Sequence, residues 1–152
     1  MQSLIQPFNV LLPLLYGMAL ICYGIYLSNG NEQSGKWAPN ILLTALVIHL
    51  FYFIARSNFQ YFPITNSFDS LSMVAFSIAM IHLIIERTSG EGKTGAFFIF
   101  IVFVFQASAS MFHVTEIRIH ELLTNPIFGI HVFLTLVGIS ALAISAIYGL
   151  IY

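Results

Sequence analysis

Five long apolar runs alternate with short polar stretches along the chain. The runs cover about residues 10–28, 39–55, 67–86, 96–112 and 129–152. Each is close to the roughly 17–25 residues that cross a bilayer as a helix. None shows the strict alternation of apolar and polar positions that is typical of a membrane barrel strand. The pattern predicts an all-α polytopic membrane protein, a single domain of about five transmembrane helices.

The segments between the runs are mostly polar, as connections between spans should be. Residues 29–38 and 87–95 are rich in glycine, serine and charged side chains. The segment before the last run carries His113, Glu116 and His120 at positions i, i+3 and i+7. This spacing predicts a short interfacial helix before the last span. A short alternating strand and a metal site formed by these three side chains are the alternatives.

The composition supports a membrane protein and excludes some classes of partner. Hydrophobic residues make up 59% of the chain and charged residues only 7%, whereas soluble domains are about 45–50% apolar. The net charge of −1 provides no basic surface, so nucleic acid is not expected as a partner. Cys22 is the only cysteine, which excludes an intrachain disulfide and a thiolate metal site. We expect it to be a packing residue.

The positive charges predict an orientation in the membrane. With five spans, Lys36, Arg87 and Lys93 lie on one side, and Arg56 and Arg118 lie on the other. Because cytoplasmic loops carry the excess of Lys and Arg, the first group is predicted to be cytoplasmic. The N-terminus is then outside and the C-terminus inside.

Three histidines are candidate functional residues because ionisable side chains within spans are costly and usually functional. His49 and His82 lie inside apolar runs, and His131 lies where the last run begins. A hydrogen bond to a neighbouring helix or an axial bond to haem iron would each satisfy a buried imidazole. For His82, the position of Glu86 four residues later favours a local pairing on the same helix face. His49 and His82 are expected at different depths, which argues against one haem held by both.

Two further features concern helix ends and helix packing. Asn66 is predicted to cap the third span, with Asp69 in its first turn facing the free amides; a catalytic Asp69 is the alternative. In the last span, Ala141, Ser145 and Gly149 are spaced four residues apart. Such a ridge of small residues suits close packing on another helix.

Three segments share their order and spacing with a known family. His49 is followed by Arg56, residues 62–82 have the sequence FPITNSFDSLSMVAFSIAMIH, and the sequence from Ile130 is IHVFLTLVGISALAISAIYGLIY. Over roughly residues 40–152 the chain resembles the CcsA-type membrane proteins of system II cytochrome c biogenesis. This family includes the chloroplast and ResC-like haem-handling synthases. The middle segment is similar to the family's FPLSN-type loop, acidic-Ser-Leu step and following helix.

The resemblance implies a function and two haem ligands. His49 would be an axial ligand to haem b within the bilayer, and His131 would ligate haem at the outer face. The protein would bind haem and present it for attachment to apocytochrome c, together with a ResB-like partner. The membrane would be a bacterial inner membrane or a thylakoid-type membrane. The imidazoles would hold the iron and control its redox state, so no catalytic acid or base is expected.

One departure from the family leaves the enzymatic role open. The tryptophan-rich WGxxWxWD-type motif is absent, and the sole tryptophan, Trp37, lies in a connecting segment. The resemblance implies part of a cytochrome c synthase (haem lyase), while this chain lacks that motif. Because no polar tail follows the last run, we expect a C-terminal half or another membrane subunit to complete the protein. The alternative function is a small structural or b-type electron-transfer subunit of a larger membrane complex.

Overall fold

The computed structural model describes residues 2–57, 64, 66–112 and 125–151. Within these ranges the chain is helical and forms no strand, which confirms the predicted all-α fold. The helices are α1 (Gln2–Asn29), α2 (Glu32–Ser57), α3 (Ser67–Ser89), α4 (Gly95–Met111) and α5 (Pro126–Ile151). The predicted interfacial helix with His113 and His120 falls outside the described residues.

Four of these helices, α1, α2, α3 and α5, are long and apolar enough to cross a membrane. The remaining helix, α4, is apolar but has only 17 residues, which make about 26 Å of helix at 1.5 Å per residue. That length is at the lower limit for a span. The helices therefore support an integral membrane protein, while the predicted orientation of the termini stays a prediction.

Capping side chains explain why two helices begin earlier than the apolar runs. The Asn31 carboxamide oxygen accepts hydrogen bonds from the backbone N–H of Gln33 at 2.9 Å and of Ser34 at 3.2 Å. This cap starts α2 at Glu32 rather than at the predicted residue 39. Asn125 accepts the N–H of Ile127 at 2.9 Å in the same way, so α5 begins at residue 126 rather than 129. A proline at the first helical position suits this start.

The ends of α3 are fixed by a cap and a glycine. The Asn66 side chain accepts the N–H groups of Phe68 and Asp69, each at 2.9 Å, which confirms the predicted cap. At the other end, Gly90 has a φ of 76° and donates its N–H to the Glu86 carbonyl. Helices commonly end with a residue in the left-handed backbone conformation after the last turn, and glycine adopts this conformation without steric cost.

Helices α1 to α4 form a bundle, and α5 packs on its outside. α1 packs on α2 and α4, α3 packs on α4 and α2, and α5 packs mainly on α3. A Cβ placed on Gly35 or on Gly92 would meet the ring of Tyr26. The α1–α2 and α3–α4 connections therefore lie side by side, at what we call the hairpin end. At the opposite end, the rings of Phe68 and Phe112 are stacked.

Small residues allow the helices of the bundle to approach closely. Lipid provides little hydrophobic driving force between helices, so van der Waals contact and interhelical hydrogen bonds hold the bundle together. Five fully buried alanines lie in its core: Ala19, Ala38, Ala45, Ala75 and Ala79. Two fully buried tyrosines of α1, Tyr16 and Tyr23, pack among them and bring hydroxyl groups into the interior.

Candidate functional site

Buried polar side chains occupy three depths of the bundle. The middle depth holds a chain of hydrogen bonds that passes through four helices. Tyr16 Oη lies 2.9 Å from His49 Nδ1, and His49 Nε2 lies 2.9 Å from Ser72 Oγ. Ser72 Oγ donates to Gln106 Oε1 at 2.9 Å, and Gln106 Nε2 donates to Ser110 Oγ at 3.3 Å. We call these five residues the His49 chain.

The hydroxyl of Ser72 sets the direction of the chain. Its proton is donated to Gln106, so its oxygen accepts from His49 Nε2–H. The other ring nitrogen, Nδ1, then accepts from the Tyr16 hydroxyl. His49 is thereby assigned as the neutral imidazole protonated at Nε2, with both ring nitrogens hydrogen-bonded.

Aromatic rings enclose His49 on its remaining sides. The imidazole is fully buried, and the centroids of Phe53 and Phe76 lie 4.6 and 5.4 Å from it. An axial ligand to haem iron needs a free ring nitrogen and an open face beside it. In the described arrangement the surroundings of His49 do not fit a haem, because the Tyr16 or the Ser72 bond would have to open first. Ligation by His49 stays a prediction.

His131 has different surroundings from His49. It lies in the second turn of α5 and its side chain is exposed, while its backbone carbonyl accepts the Thr135 hydroxyl at 2.8 Å. Ile127, Ile130 and Leu134 are exposed around it. The two predicted haem ligands therefore have opposite surroundings. His49 is enclosed in the bundle, and His131 is exposed on its outside.

A buried ion pair joins α2 to α3 near the end opposite the hairpin end. Arg56 Nη2 lies 2.8 Å from Asp69 Oδ1 and 3.0 Å from Oδ2, and the two side chains are only 2% and 3% exposed. The prediction that Asp69 mainly caps α3 needs correction here. Its position in the first turn still suits the helix dipole, but its carboxylate is engaged by the guanidinium of the neighbouring helix.

The third polar group, at the hairpin end, contains His82, Glu86 and Tyr23; we call it the hairpin-end cluster. His82 Nε2 lies 3.7 Å from Glu86 Oε2, which confirms the predicted local pairing as a contact at ion-pair distance. The Tyr23 hydroxyl donates a hydrogen bond to the same carboxylate oxygen. Phe98 stacks on the imidazole of His82 with centroids 5.5 Å apart.

The two histidine-containing groups are separate. His49 contacts Tyr16, and His82 contacts Tyr23. These tyrosines are seven residues apart on α1, which corresponds to about 10 Å along the helix axis. The predicted difference in depth between His49 and His82 agrees with this spacing, and the two imidazoles do not form one site.

Sequence reasoning missed the partners of His49. Ser72 and Gln106 are neutral polar side chains in apolar helices, and neither was predicted to belong to a hydrogen-bond chain with a histidine. A signal was available for Gln106, because it is the only amide side chain in α4. Another was the spacing of seven between Tyr16 and Tyr23, which places both on one helix face.

Comparison with known proteins gives no relative for this chain. No family model, curated protein sequence or solved structure matches it. In the parts of the chain that the structure describes, no three His, Cys, Asp or Glu side chains group as metal ligands. The alternative metal site with His113, Glu116 and His120 falls outside those parts. Functional conclusions therefore rest on the residues and their geometry.

Proposed function

We propose that this chain is a haem-handling membrane protein of cytochrome c biogenesis. It would bind haem b, present it at the outer face, and act with a ResB-like partner and apocytochrome c as the acceptor. Apolar helices of spanning length support a membrane location. The resemblance of three segments to the CcsA-type family supports the haem-related role. A cytochrome c synthase activity would require the tryptophan-rich motif from a further segment or subunit.

The observation that carries the proposal is the exposed imidazole of His131 on an apolar helix face. Haem is a flat apolar ligand whose iron takes an imidazole as an axial ligand. Ile127 and Leu134 lie one turn before and one turn after His131, and both are exposed. His131 would ligate the iron, and Ile127 and Leu134 would contact the apolar porphyrin, without disturbing the bundle. When bound, the haem would supply the iron that His131 ligates and the vinyl groups that form thioethers on attachment to apocytochrome c.

His49 enters the proposal only as the second, internal position that the resemblance implies, which the described packing does not accommodate without a rearrangement. Its ligation of iron would require one bond of the His49 chain to open, so haem there would exchange slowly. Haem held by His131 would exchange readily because that side chain is exposed. The two histidines would then serve different haem populations.

A haem titration of the purified chain tests the proposal. Absorption spectra should show a histidine-ligated haem in the wild type, and His131→Ala should remove the readily exchanged population. His82→Gln is a matched control, because it changes another histidine outside the proposed site. Equal loss of all haem in His131→Ala and in His49→Ala would show one shared site. Unchanged haem binding in His131→Ala would refute the assignment of His131.

A second candidate function is a structural or electron-transfer subunit of a larger membrane complex. The observation that favours it is the ridge on α5, where Ala141, Ser145 and Gly149 are all exposed. A Cβ on Gly149 would meet nothing within 4 Å, so another helix could approach there closely. A folded chain that takes up no haem but co-purifies with a membrane subunit through α5 would favour this function.

A further inference from the structure

The hairpin-end cluster contains an imidazole for which the described residues provide no hydrogen bond. His82 is fully buried, yet among the described residues neither of its ring nitrogens has a hydrogen-bond partner. Buried polar atoms in folded proteins are almost always paired, and each exception needs a physical explanation. This one lies outside the His49 chain and away from His131.

A carboxylate stands just beyond hydrogen-bond distance of this imidazole. Glu86 Oε2 lies 3.7 Å from His82 Nε2, whereas a charge-assisted N–H···O bond is about 2.7–2.9 Å long. A shift of roughly 1 Å would form that bond. Glu86 Oε2 already accepts the Tyr23 hydroxyl, so the carboxylate is held in place from α1 while the imidazole approaches from its own helix.

The backbone of the α3–α4 connection and of the first residue of α4 covers the cluster closely. A Cβ on Gly95 would lie 2.5 Å from the Tyr23 ring and 2.8 Å from His82 Nε2. A Cβ on Gly92 would lie 2.6 Å from Glu86 Oε1. These glycines bring backbone against both ionisable groups, closer than a residue with a side chain would allow. A proton is a ligand that needs no space beyond this close contact.

The charges around the cluster favour the uptake of a proton. Tyr23 of α1 faces Glu86 directly, and Tyr148 of α5 bonds Thr94 at 3.0 Å and packs on Phe98. Arg87 follows Glu86, and its charge also acts on that carboxylate, although its side chain is exposed. A neutral imidazole beside a carboxylate gives the His82–Glu86 pair a net charge of −1 in a mostly buried place. One added proton makes the pair neutral, which a low-dielectric interior favours over a net charge.

We propose that His82 and Glu86 form a one-proton binding site at the hairpin end of the bundle. A proton from water at that end binds His82 Nε2, and the imidazolium closes onto Glu86 Oε2. An O–H bond of hydronium breaks, an N–H bond forms on the ring, and the net charge of the pair goes from −1 to zero. Because Tyr23 holds the same oxygen, proton uptake tightens the contact between α1 and α3.

Nitrogen NMR of the histidine rings tests this site in the full chain reconstituted in bilayers. The His82 signals are assigned through their proximity to the ring of Phe98. In the wild type we expect His82 to become an imidazolium as the pH falls from about 8 to about 4, a range that extends below the titration of an ordinary, exposed histidine. In Glu86→Gln we expect His82 to stay neutral, since its cation would have no counter-charge.

Glu91→Gln is the matched control, because Glu91 is an exposed glutamate in the adjacent connection. It should leave the titration of His82 unchanged. A wild-type His82 that stays neutral over the whole range would overturn the proposal, and this arm needs no variant to fold. A Glu86→Gln chain in which His82 titrates as in the wild type would overturn it as well.

Discussion

Ser72→Ala isolates the contribution of the His49 chain to the stability of the bundle. Ser72 is the only link between His49 on α2 and Gln106 on α4 in this chain of hydrogen bonds. Removing its hydroxyl leaves a buried donor at His49 Nε2 and a buried acceptor at Gln106 Oε1. The volume change is a single oxygen atom, so packing is otherwise preserved.

The expected magnitude follows from the two bonds that are lost. Interhelical side-chain hydrogen bonds in membrane proteins contribute about 0.6 kcal/mol each on average, and up to about 1.7 kcal/mol. Two such bonds give a loss of about 1–2 kcal/mol in the free energy of unfolding. Alanine has a higher helix propensity than serine, by about half a kcal/mol. A control variant must therefore correct for this gain in helix stability.

Ser77→Ala is that control. Ser77 is on the same helix and is fully buried like Ser72, but its hydroxyl bonds only the Met73 carbonyl of its own helix, at 2.8 Å. The same propensity gain applies, and no interhelical bond is lost. Reversible unfolding in mixed micelles should place Ser72→Ala about 1–2 kcal/mol below Ser77→Ala. Equal free energies of unfolding for the two variants would refute the argument that the His49 chain holds the helices together.

Three further variants test other parts of the fold. Asn66→Ala should cost about 0.5–2 kcal/mol through loss of the α3 cap, measured by the same unfolding assay; unchanged stability with lost haem binding would instead give Asn66 a functional role. Asp69→Asn should cost up to about 3–5 kcal/mol, because it removes the charge of the carboxylate that pairs with the buried guanidinium of Arg56; a cost below about 1 kcal/mol would contradict a large contribution of this pair. Gly95→Ala should cost about 1–3 kcal/mol, because the added methyl group would push Tyr23 and His82 away from the start of α4. Gly138→Ala, with open space around its Cβ, should not destabilise α5. Equal effects of the two substitutions would contradict the close packing at Gly95.

The sequence was sufficient for the class of fold and for most of the helices. Their apolar runs have spanning length, and Asn66 stands where a cap is needed. The starts of α1, α2 and α5 were predicted late. Hydropathy identifies only apolar runs, and the first turns of these helices contain polar residues or proline, among them Gln2, Glu32 and Pro126. The caps at Asn31 and Asn125 decide where α2 and α5 begin, and a search for apolar runs does not find such caps.

The candidate site was predictable only in part. The local pairing of His82 with Glu86 follows from a spacing of four residues on one helix, and the two side chains are in contact in the structure. The hydrogen-bond partners of His49 come from two other helices, with 33 residues to Tyr16 and 23 to Ser72 along the chain. Such contacts depend on how the helices rotate and pack against one another. The same holds for Asp69, whose partner Arg56 lies across an interhelical contact.

The optical spectrum of the chain purified from haem-sufficient membranes tests the central proposal most directly. If the chain handles haem, the reduced-minus-oxidised difference spectrum should contain a b-type haem signal. That signal should fall in His131→Ala and persist in the His82→Gln control. A folded, purified chain that carries no haem and acquires none when haem is added would contradict the proposal and favour a structural subunit.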